Sequence, residues 1–306
     1  MSESSSSIVI WCFKDGRRGH ESQSTGLLTA LSEKQCIAVH DIVVDGNIWE
    51  DGWRALCGSF PPGNKLPTPV FHLGAGHNTH LPMLAARKAR GGKIIVLMSP
   101  TLPPTLFDLC IVPEHDNPPS RPNILRTRGV LNPLRDQGSA SPSKGLFLIG
   151  GPSSHYRWSQ EALLTQIGEI TALSGEMDWV LATSPRTPSI TTEALMELRS
   201  EGITLAPFES VEPSWLPCQL ALSSQVWVTE DSVSMIYEAL TAGAKVGLLS
   251  TPPKKPSRVS RGVNSLIGDG FVTPFARWKI NHCLLPPRAR LDEASRCAQW
   301  ISSQWL

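Results

Sequence analysis

Three loops in the second half of the chain carry residue types that bind phosphate. The first, LIGGPSSHYRWS at 148–159, ends a strand-like run at Gly150 and Gly151. Ser153 and Ser154 then precede a helix-like segment, and backbone amides at a helix start bind phosphate well. The loop lacks the G-x-G-x-x-G pattern and a Walker lysine, so NAD and P-loop nucleotides are not expected. A glycine–serine turn is also an ordinary connection between a strand and a helix.

The second loop, ATSPRTPS at 182–189, places a cation among hydroxyl groups. Arg186 lies between Ser184 and Thr187 in the sequence, and prolines stiffen the loop. A guanidinium keeps its proton at physiological pH and presents a rigid fork of donors, which suits a diphosphate. The alternative is an ordinary surface arginine in a turn.

The third loop lies within VTEDSVSMIYEALTAGAKV at 228–246, where a strand-like run passes into a predicted helix at 232–242. Its polar side chains are those of Thr229, Glu230, Asp231, Ser232 and Ser234. Asp231 or Ser232 can cap the helix. Glu238 lies nearly two turns further on, away from the apolar stripe, so capping does not explain it. Its carboxylate could hold a ribose diol, and the alternative is an exposed helix glutamate.

Two places in the first half could supply a general acid or base. The glycine-rich turn CFKDGRRGHESQSTGL at 12–27 carries His20 near a predicted helix start. Imidazole titrates near neutral pH and can deprotonate a hydroxyl group. The alternative is a solvated basic turn with a capping histidine. His115 and Asp116 follow a later predicted strand and form a second candidate.

The remaining histidines and cysteines give no metal-binding pattern. His72, His77 and His80 are close in sequence, but no cysteine accompanies them and their spacing does not match H-E-x-x-H. The chain contains neither C-x-x-C nor D-x-D, the commonest device by which a sugar transferase holds a cation. We therefore expect no metal and no cofactor. G-x-S-x-G is also missing, so an α/β-hydrolase is not supported.

Short β-branched runs alternate with helical patterns along the whole chain. The strands predicted for the first half are 7–13, 37–44, 69–74, 93–98 and 107–112. Those predicted for the second half are 145–151, 178–183, 202–207, 225–229 and 245–249. Apolar strands separated by helices are typical of parallel sheets, in which ligands bind beyond the carboxyl ends of the strands. The candidate loops lie at such ends.

The chain length, the local composition and the net charge indicate the number of domains and exclude some classes of function. A chain of 306 residues exceeds the size at which one core stops growing. The Ser-, Pro- and Gly-rich stretch 131–144 divides the series of strands. We therefore predict two Rossmann-like α/β domains facing a central cleft, 1–140 and 141–306, with a last helix that can pack back on the first domain. A net charge of +1 argues against nucleic acid.

Cysteine usage and apolar runs indicate the compartment. The seven cysteines are scattered and fit reduced thiols in the cytoplasm. The N-terminus does not resemble a signal peptide, and no apolar run approaches the roughly 20 residues of a membrane span. Any membrane contact is therefore expected to be peripheral, at the inner face. The basic segment 251–262 could meet anionic lipid, although a solvated loop is the commoner explanation.

Six of these stretches occur in the order seen in the ELM family, which is named for a plant mitochondrial-fission protein. They are KDGRRGHESQSTGL, FDLCIVPEHD, TRGVLN, LIGGPSSHY, ATSPRTP and VTEDSVSMIYEALTAGAKV. The resemblance spans roughly residues 10 to 250 and identifies the chain as a bacterial-looking member. The family is similar to GT-B glycosyltransferases such as those that build lipid A disaccharide and peptidoglycan lipid intermediates. One departure is Arg17 and Arg18, where family members often have Lys-Pro before the glycine and histidine.

The resemblance implies roles for individual residues. The C-terminal domain would bind the nucleotide-sugar, with Arg186 neutralising the diphosphate and Glu238 holding the ribose. The other donor residues it implies are Gly150, Gly151, Ser153, Thr187, Thr229, Asp231, Ser232 and Ser234. The N-terminal loop would face the acceptor through Lys14, Gly19 and Gln23, with His20 as base and His115 with Asp116 as its alternative.

The resulting hypothesis is metal-independent transfer of a sugar from a nucleoside diphosphate, preferably UDP, to a lipid-linked or cell-surface saccharide of the lipopolysaccharide or envelope type. Two alternatives remain open. A nucleotide-sugar epimerase uses the same fold and consumes UDP-sugar without an acceptor. A non-catalytic factor recruited to a membrane, as the fission name suggests, would bind no nucleotide.

Overall fold

The computed structural model describes residues 7–198, 202–212 and 214–306. Its internal contacts divide the chain into two compact units. The N-terminal unit comprises the chain up to Pro133 together with Asp292–Leu306, and the C-terminal unit is Leu134–Leu291. The division therefore falls at 133/134, whereas the sequence analysis places it at 140/141, and the last fifteen residues belong to the first unit.

Strands and helices alternate through both units. The strands are β1 (Ile8–Lys14), β2 (Ile37–Val43), β3 (Phe71–Ala75), β4 (Lys93–Leu97), β5 (Leu109–Pro113), β6 (Ile124–Thr127), β7 (Ser141–Leu148), β8 (Asp178–Ala182), β9 (Ile203–Ala206), β10 (Ser223–Thr229), β11 (Lys245–Leu249) and β12 (Val272–Pro274). The helices are α1 (Arg18–Ser32), α2 (Ile48–Cys57), α3 (His80–Arg90), α4 (Gln160–Leu173), α5 (Ser189–Glu197), α6 (Trp215–Leu222), α7 (Val233–Thr241), α8 (Arg258–Gly268), α9 (Phe275–Asn281) and α10 (Glu293–Trp305).

The N-terminal unit is a six-stranded parallel sheet in the order β2-β1-β3-β4-β5-β6, covered on both faces. Successive side chains of a strand point to opposite faces. Ile10 accordingly packs with Leu31 of α1 and Ile301 of α10 on one face. Trp11 packs with Met83 of α3 on the other. Burial on both faces explains why these strands are continuously apolar.

The C-terminal unit is a second six-stranded parallel sheet, in the order β12-β11-β10-β7-β8-β9. Its core is rich in aromatic side chains. Phe147 and Trp179 lie with their ring centroids 4.6 Å apart. Trp227 meets Trp278 edge to face at 5.4 Å. The glycines Gly145 and Gly247 leave room for these indole rings, since a Cβ at either position would overlap one.

Each sheet has one point at which the strand order reverses. In the N-terminal unit it lies between β1 and β3, and in the C-terminal unit between β10 and β7. Loops that leave such neighbouring strands in opposite directions open a crevice at the carboxyl edge, where ligands of α/β proteins bind. The predicted loops after β1, β7 and β10 are therefore the ones that the topology places at these points.

The predicted fold class, α/β with parallel sheets in two Rossmann-like domains, is confirmed. All ten predicted strands are present, with ends that differ by a few residues. Two short strands, β6 and β12, were not predicted because runs of four and three residues carry too little period-two pattern. Helix α2 was also missed.

Candidate functional site

Three of the predicted loops meet at the switch point of the C-terminal unit. The amide of Gly150, after β7, donates to Thr229 Oγ1 at the end of β10 (2.8 Å). On the other side of β7, Thr187 Oγ1 lies 2.9 Å from the carbonyl oxygen of Ile149 and 2.6 Å from that of Gly150. The loops after β8 and β10 are thus both fastened to the loop after β7.

Arg186 is fixed by partners from two of these loops. Its Nη1 lies 2.7 Å from Asp231 Oδ2 and donates to the carbonyl oxygen of Gly151 at 3.2 Å. Its Nη2 donates to Ser232 Oγ at 3.1 Å. The Asp231 side chain is fully buried, whereas 42% of the Arg186 side chain is exposed. The guanidinium is therefore held on one side and remains accessible on the other.

The predicted use of Gly150 and Gly151 as phosphate-binding amides does not agree with this geometry. Their amides are already engaged, that of Gly150 by Thr229 Oγ1 and that of Gly151 by Asp231 Oδ2 (3.2 Å). Both glycines are needed for close packing instead. A Cβ on Gly151 would lie 1.9 Å from the carbonyl oxygen of Arg186, and one on Gly150 would lie 2.4 Å from Asp231 Oδ2.

The helix expected directly after Ser153 and Ser154 begins later than predicted. Ser159 caps α4 by accepting from the amide of Ala162, and the helix starts at Gln160. Ser153 instead closes a turn, since its Oγ accepts from the amides of His155 and Tyr156 (3.2 and 3.1 Å). A phosphate-binding helix start at Ser153 is therefore wrong.

The expectation that Asp231 or Ser232 caps α7 is also wrong. Ser232 stands at the N-cap position, but no side chain caps the helix. Both side chains contact the Arg186 guanidinium instead, Asp231 through an ion pair and Ser232 through a hydrogen bond. An uncapped helix start leaves backbone amides for an anion. The start of α7, where Ser234 is exposed, therefore lies beside Arg186 with no side chain capping it.

Several buried polar atoms at this edge have no protein partner. Among the residues described, no hydrogen bond is made by Asp231 Oδ1, the Tyr156 hydroxyl or Thr251 Oγ1. Burial, together with the charges of Glu230 and Asp231, raises the pKa of Tyr156. Buried polar groups are normally hydrogen-bonded, so these atoms are available to a ligand or to water.

Two glutamates at the site are partly buried. Burial raises the pKa of Glu238 to about 7, and no described residue pairs with its carboxylate. Burial also raises the pKa of Glu230 to about 6, against the hydrogen bond that its Oε2 accepts from the amide of Thr251 (3.1 Å). Glu238 is thus neither an exposed helix glutamate nor a member of an ion pair.

The N-terminal unit places His20 at its own switch point. His20 Nδ1 lies 2.8 Å from Oδ2 of Asp15, whose side chain is fully buried. Gly76, at the end of β3, lies against the ring, since a Cβ there would be 2.4 Å from it. A carboxylate on Nδ1 leaves Nε2 as the basic nitrogen of a neutral imidazole. Asp15 was missed, although an acid five residues before a histidine in a glycine-rich turn was a usable signal.

Two of the residues predicted to face the acceptor, Lys14 and Gln23, already have partners within the chain. Lys14 pairs with Asp41 of β2 at 2.5 Å, and this hydrogen bond raises the Lys14 pKa. Gln23 is buried, and its amide donates to the carbonyl oxygen of Gly19 (3.3 Å). These contacts hold the loop and α1 in place. Gly19 itself has room around its Cα.

The second base candidate lies at a different strand end. His115 and Asp116 follow β5 in a short 3₁₀ turn, with His115 Nε2 3.8 Å from Asp116 Oδ1. In the sheet, β3 and β4 separate β5 from β1. His20 is therefore the candidate that stands at the switch point, and His115 is not.

Two of the clustered histidines, His72 and His80, are buried in the interior of the unit, whereas His77 is exposed. Burial lowers the pKa of His72 and of His80 to about 4, so both are neutral at physiological pH. His72 Nε2 hydrogen-bonds the carbonyl oxygen of Gly91 at 2.7 Å. Within the described ranges, no group of three or more His, Cys, Asp or Glu side chains is placed to hold a metal ion.

The basic segment 251–262 is partly engaged with the chain itself. Lys254 Nζ donates to the carbonyl oxygen of Ser153 at 2.9 Å, and Arg258 and Arg261 belong to α8. Across the part of the chain that the structure describes, no helix has both the length and the apolar character that a bilayer crossing requires.

Comparison with known proteins gives a family over nearly the whole chain. The family described as Mitochondrial fission ELM1 matches residues 18–305. A comparison with curated proteins found no match.

Solved structures with the same fold include GT-B glycosyltransferases and UDP-N-acetylglucosamine 2-epimerases. The UDP-GlcNAc 2-epimerase of Methanocaldococcus jannaschii is 12% identical, with 97% of this chain and 99% of that one covered and a TM-score of 0.62. The Neisseria meningitidis enzyme bound to UDP-GlcNAc is 11% identical, with 97% and 98% covered and a TM-score of 0.55. Acinetobacter baumannii MurG is 13% identical, with 96% and 95% covered and a TM-score of 0.51. At these identities the likeness concerns the fold.

Proposed function

The chain belongs to the mitochondrial fission ELM1 family, and we propose that it is a glycosyltransferase that uses a nucleoside-diphosphate sugar, preferably a UDP-sugar. The acceptor would be a lipid-linked or cell-surface saccharide of the envelope type. The observation that carries the proposal is the half-exposed Arg186 guanidinium, oriented by the buried Asp231 beside the uncapped start of α7. That arrangement lies at a switch point, where α/β proteins bind nucleotides.

The donor would be held by charge at one end and by hydroxyl recognition at the other. Arg186 and the first amides of α7 are donors suited to the diphosphate, and they would also stabilise its charge as it leaves. Glu238, a partly buried carboxylate without a partner among the described residues, is suited to the ribose diol. Two of the fold neighbours are described with UDP or UDP-GlcNAc bound, which supports a UDP-sugar for this chain.

His20 is the base we assign to the reaction. Its Nδ1 is occupied by Asp15, so its Nε2 would take the proton of the acceptor hydroxyl. The acceptor oxygen would bond to the anomeric carbon while the bond from that carbon to the diphosphate oxygen breaks. The negative charge leaves with the nucleoside diphosphate, to which Arg186 is the complementary cation. None of these steps calls on a metal ion.

An epimerase acting on a UDP-sugar is a second candidate. The observation that favours it is the higher TM-score of the 2-epimerase structures, 0.62 against 0.51 for MurG. The two activities differ in their need for an acceptor. Conversion of UDP-GlcNAc by the purified chain alone, followed by chromatography of the sugar product, would support the epimerase and contradict the transferase.

Peripheral contact with an anionic membrane is part of the proposal and is supported by α2. Trp49, Trp53 and Leu56 are 90%, 69% and 74% exposed and follow one another at helical spacing along this helix. They line a groove between α2 and α3 in which, among the described residues, the charged lining side chains are the basic Arg87 and Lys88. Tryptophan rings flanked by basic residues suit the headgroup layer of a bilayer.

Nucleotide binding by the full chain tests the proposal. Thermal shifts would be measured with UDP, UDP-GlcNAc, UDP-glucose, a CMP-sugar and an ADP-sugar. A ligand at 100 times its Kd adds about 2.7 kcal/mol to the stability of the native state. We expect UDP compounds to raise Tm and Arg186→Ala to abolish the shift, whereas the exposed Arg277→Ala serves as the matched control. No shift with any nucleotide would favour a non-catalytic membrane factor.

A further inference from the structure

A partly open cavity lies at the carboxyl edge of the N-terminal sheet. It has a volume of about 180 Å³ and is lined by the loops after β2, β3 and β4 and by the first turns of α2 and α3. A cavity of about 150 Å³ holds benzene, whereas sites for larger ligands span about 300–1,000 Å³. The cavity therefore fits one substituted six-membered ring and excludes a nucleotide.

Two of its lining side chains are polar, more than nine-tenths buried and poorly satisfied. Asp51 is 5% exposed, and its one ionic contact among the described residues is Arg54 Nη1 at 3.8 Å from Oδ1. His80 is 1% exposed, with Nδ1 3.2 Å from Thr101 Oγ1 and no hydrogen bond to Nε2 within the described ranges. Leaving such groups unpaired is unfavourable for folding. Asp51 therefore has unused capacity for a polar ligand, whereas His80 Nε2 is buried away from the cavity.

The lining favours hydroxyl groups over ions. Asp51 supplies acceptors, and Asn78 and Thr101 can donate or accept, beside the apolar side chains of Leu81 and Leu102. An anion would face the Asp51 carboxylate at close range. A hard cation takes about six oxygen ligands, and the cavity offers a single carboxylate. Mixed donors and acceptors around a ring-sized space are what a polyhydroxylated ring requires.

The position of the cavity connects it with the base. His77 and Asn78 line it, and they directly follow Gly76, which lies against the His20 ring. A sugar ring in the cavity would therefore lie against His77, which directly follows the glycine that contacts the ring of His20, the histidine that we assign as base. We propose that the cavity is the subsite for an acceptor pyranose, recognised through its hydroxyl groups by Asp51 and Asn78. This inference rests on the proposed function, because it assigns that reaction an acceptor sugar.

Saturation-transfer NMR on the full chain, with methyl pyranosides of glucose, galactose, mannose and N-acetylglucosamine, tests the subsite without any nucleotide. We expect at least one pyranoside to bind, and Asp51→Asn and Asn78→Ala each to weaken it by about tenfold or more. The control is Glu193→Gln, an exposed carboxylate of α5 that does not line the cavity. Asp51→Asn is also expected to unfold at the same or a higher temperature, because it removes a buried, weakly paired charge.

Three results would overturn the subsite. One is the absence of binding by all four pyranosides, which would mean that the cavity holds water only. Another is undiminished binding by both variants. The third is equal binding of cyclohexanol, a ring of the same size with one hydroxyl group, which would show an apolar cavity. UDP binding, measured on the same samples, separates the two proposals: if UDP binds and no pyranoside does, the subsite fails and the proposed function stands.

Discussion

The Glu238 carboxylate should make the stability of this protein fall as pH rises. Burial raises its pKa from 4.5 to about 7 in the folded chain. Between these two values the folded state holds a proton that the unfolded state has released. Stability therefore decreases with pH across this interval, since the native state binds more protons than the unfolded state. Below pH 4.5 both states are protonated, and above pH 7 both are ionised, so the effect is confined to the interval.

The size of the effect follows from the width of the interval. One pKa unit corresponds to about 1.36 kcal/mol, so a shift from 4.5 to about 7 gives at most about 3 kcal/mol. For a unit of this length, each kcal/mol moves Tm by about 2–4 °C. Glu238→Gln removes the ionisable group. The variant should match the wild type at pH 5 and unfold up to about 6–12 °C higher at pH 8.

The same substitution, Glu238→Gln, should weaken the binding of the nucleotide donor. A carboxylate that accepts hydrogen bonds from a ribose diol does so best when ionised, so UDP affinity of the wild type should rise between pH 6 and pH 8. Hydrogen bonds to charged groups contribute about 1.5–3 kcal/mol. Glu238→Gln should therefore lose about tenfold or more of UDP affinity at pH 8 and should show a weaker pH dependence than the wild type. The opposite signs of the two effects distinguish a binding residue from a structural one.

The assays are calorimetric titration with UDP and thermal unfolding at pH 5, 6, 7 and 8. The exposed Glu193→Gln, on α5 of the same unit, is the matched control and should change neither quantity. Glu230 also contributes to the fall of stability with pH, but it is present in all variants and cancels in the comparison. Parallel stability curves for Glu238→Gln and wild type would refute the burial argument. Unchanged UDP affinity at pH 8 would refute the ribose assignment.

Three further outcomes follow from the contacts. Gly151→Ala places a Cβ 1.9 Å from the carbonyl oxygen of Arg186, so it should destabilise the chain by about 1–3 kcal/mol and weaken UDP binding; an unchanged Tm would contradict the packing. Asp15→Asn should lower transfer activity about a hundredfold or more through the His20 tautomer while sparing UDP affinity, and equal loss of both would argue against a positioning role. Trp53→Ser should reduce co-sedimentation with phosphatidylglycerol vesicles about tenfold. Binding equal to that of the wild type would show that α2 is not the membrane contact.

The fold could be predicted from the sequence because its strands are buried on both faces. Runs such as IIVL in β4 are apolar and β-branched enough to be assigned without tertiary information. Helix α2 could not, because IWEDGWRALC exposes its tryptophans instead of burying an apolar stripe. Trp49, Trp53 and Leu56 of this helix are largely exposed, so its apolar positions do not mark a side that faces the core.

The sequence singles out several residues that meet at the switch point of the C-terminal unit, but it does not give the contacts between them. The residues Gly151, Arg186 and Asp231 were singled out from local composition. Their mutual contacts could not be foreseen, because Asp231 reaches an amide that is eighty residues away in sequence. The burial of Glu238 could not be predicted from a helical wheel either, because the wheel gives the side of the helix on which a residue lies and not its solvent exposure. Asp15 was missed for a different reason: its loop has a basic character, with Lys14, Arg17 and Arg18 around this single acid.

The engagement of the glycine amides has a consequence for how phosphate is recognised. In a P-loop, glycine amides point at the phosphates. Here the amide of Gly151 instead donates to Asp231, which in turn orients Arg186. The backbone is thus used to position a side chain, and in the proposed function charge recognition would pass to the guanidinium and to the start of α7. A lysine at position 186 could keep the charge but could not contact Asp231, Ser232 and a phosphate with one planar fork. Arg186→Lys should therefore lose most of the UDP affinity that Arg186→Ala loses, and full retention would show that charge alone suffices.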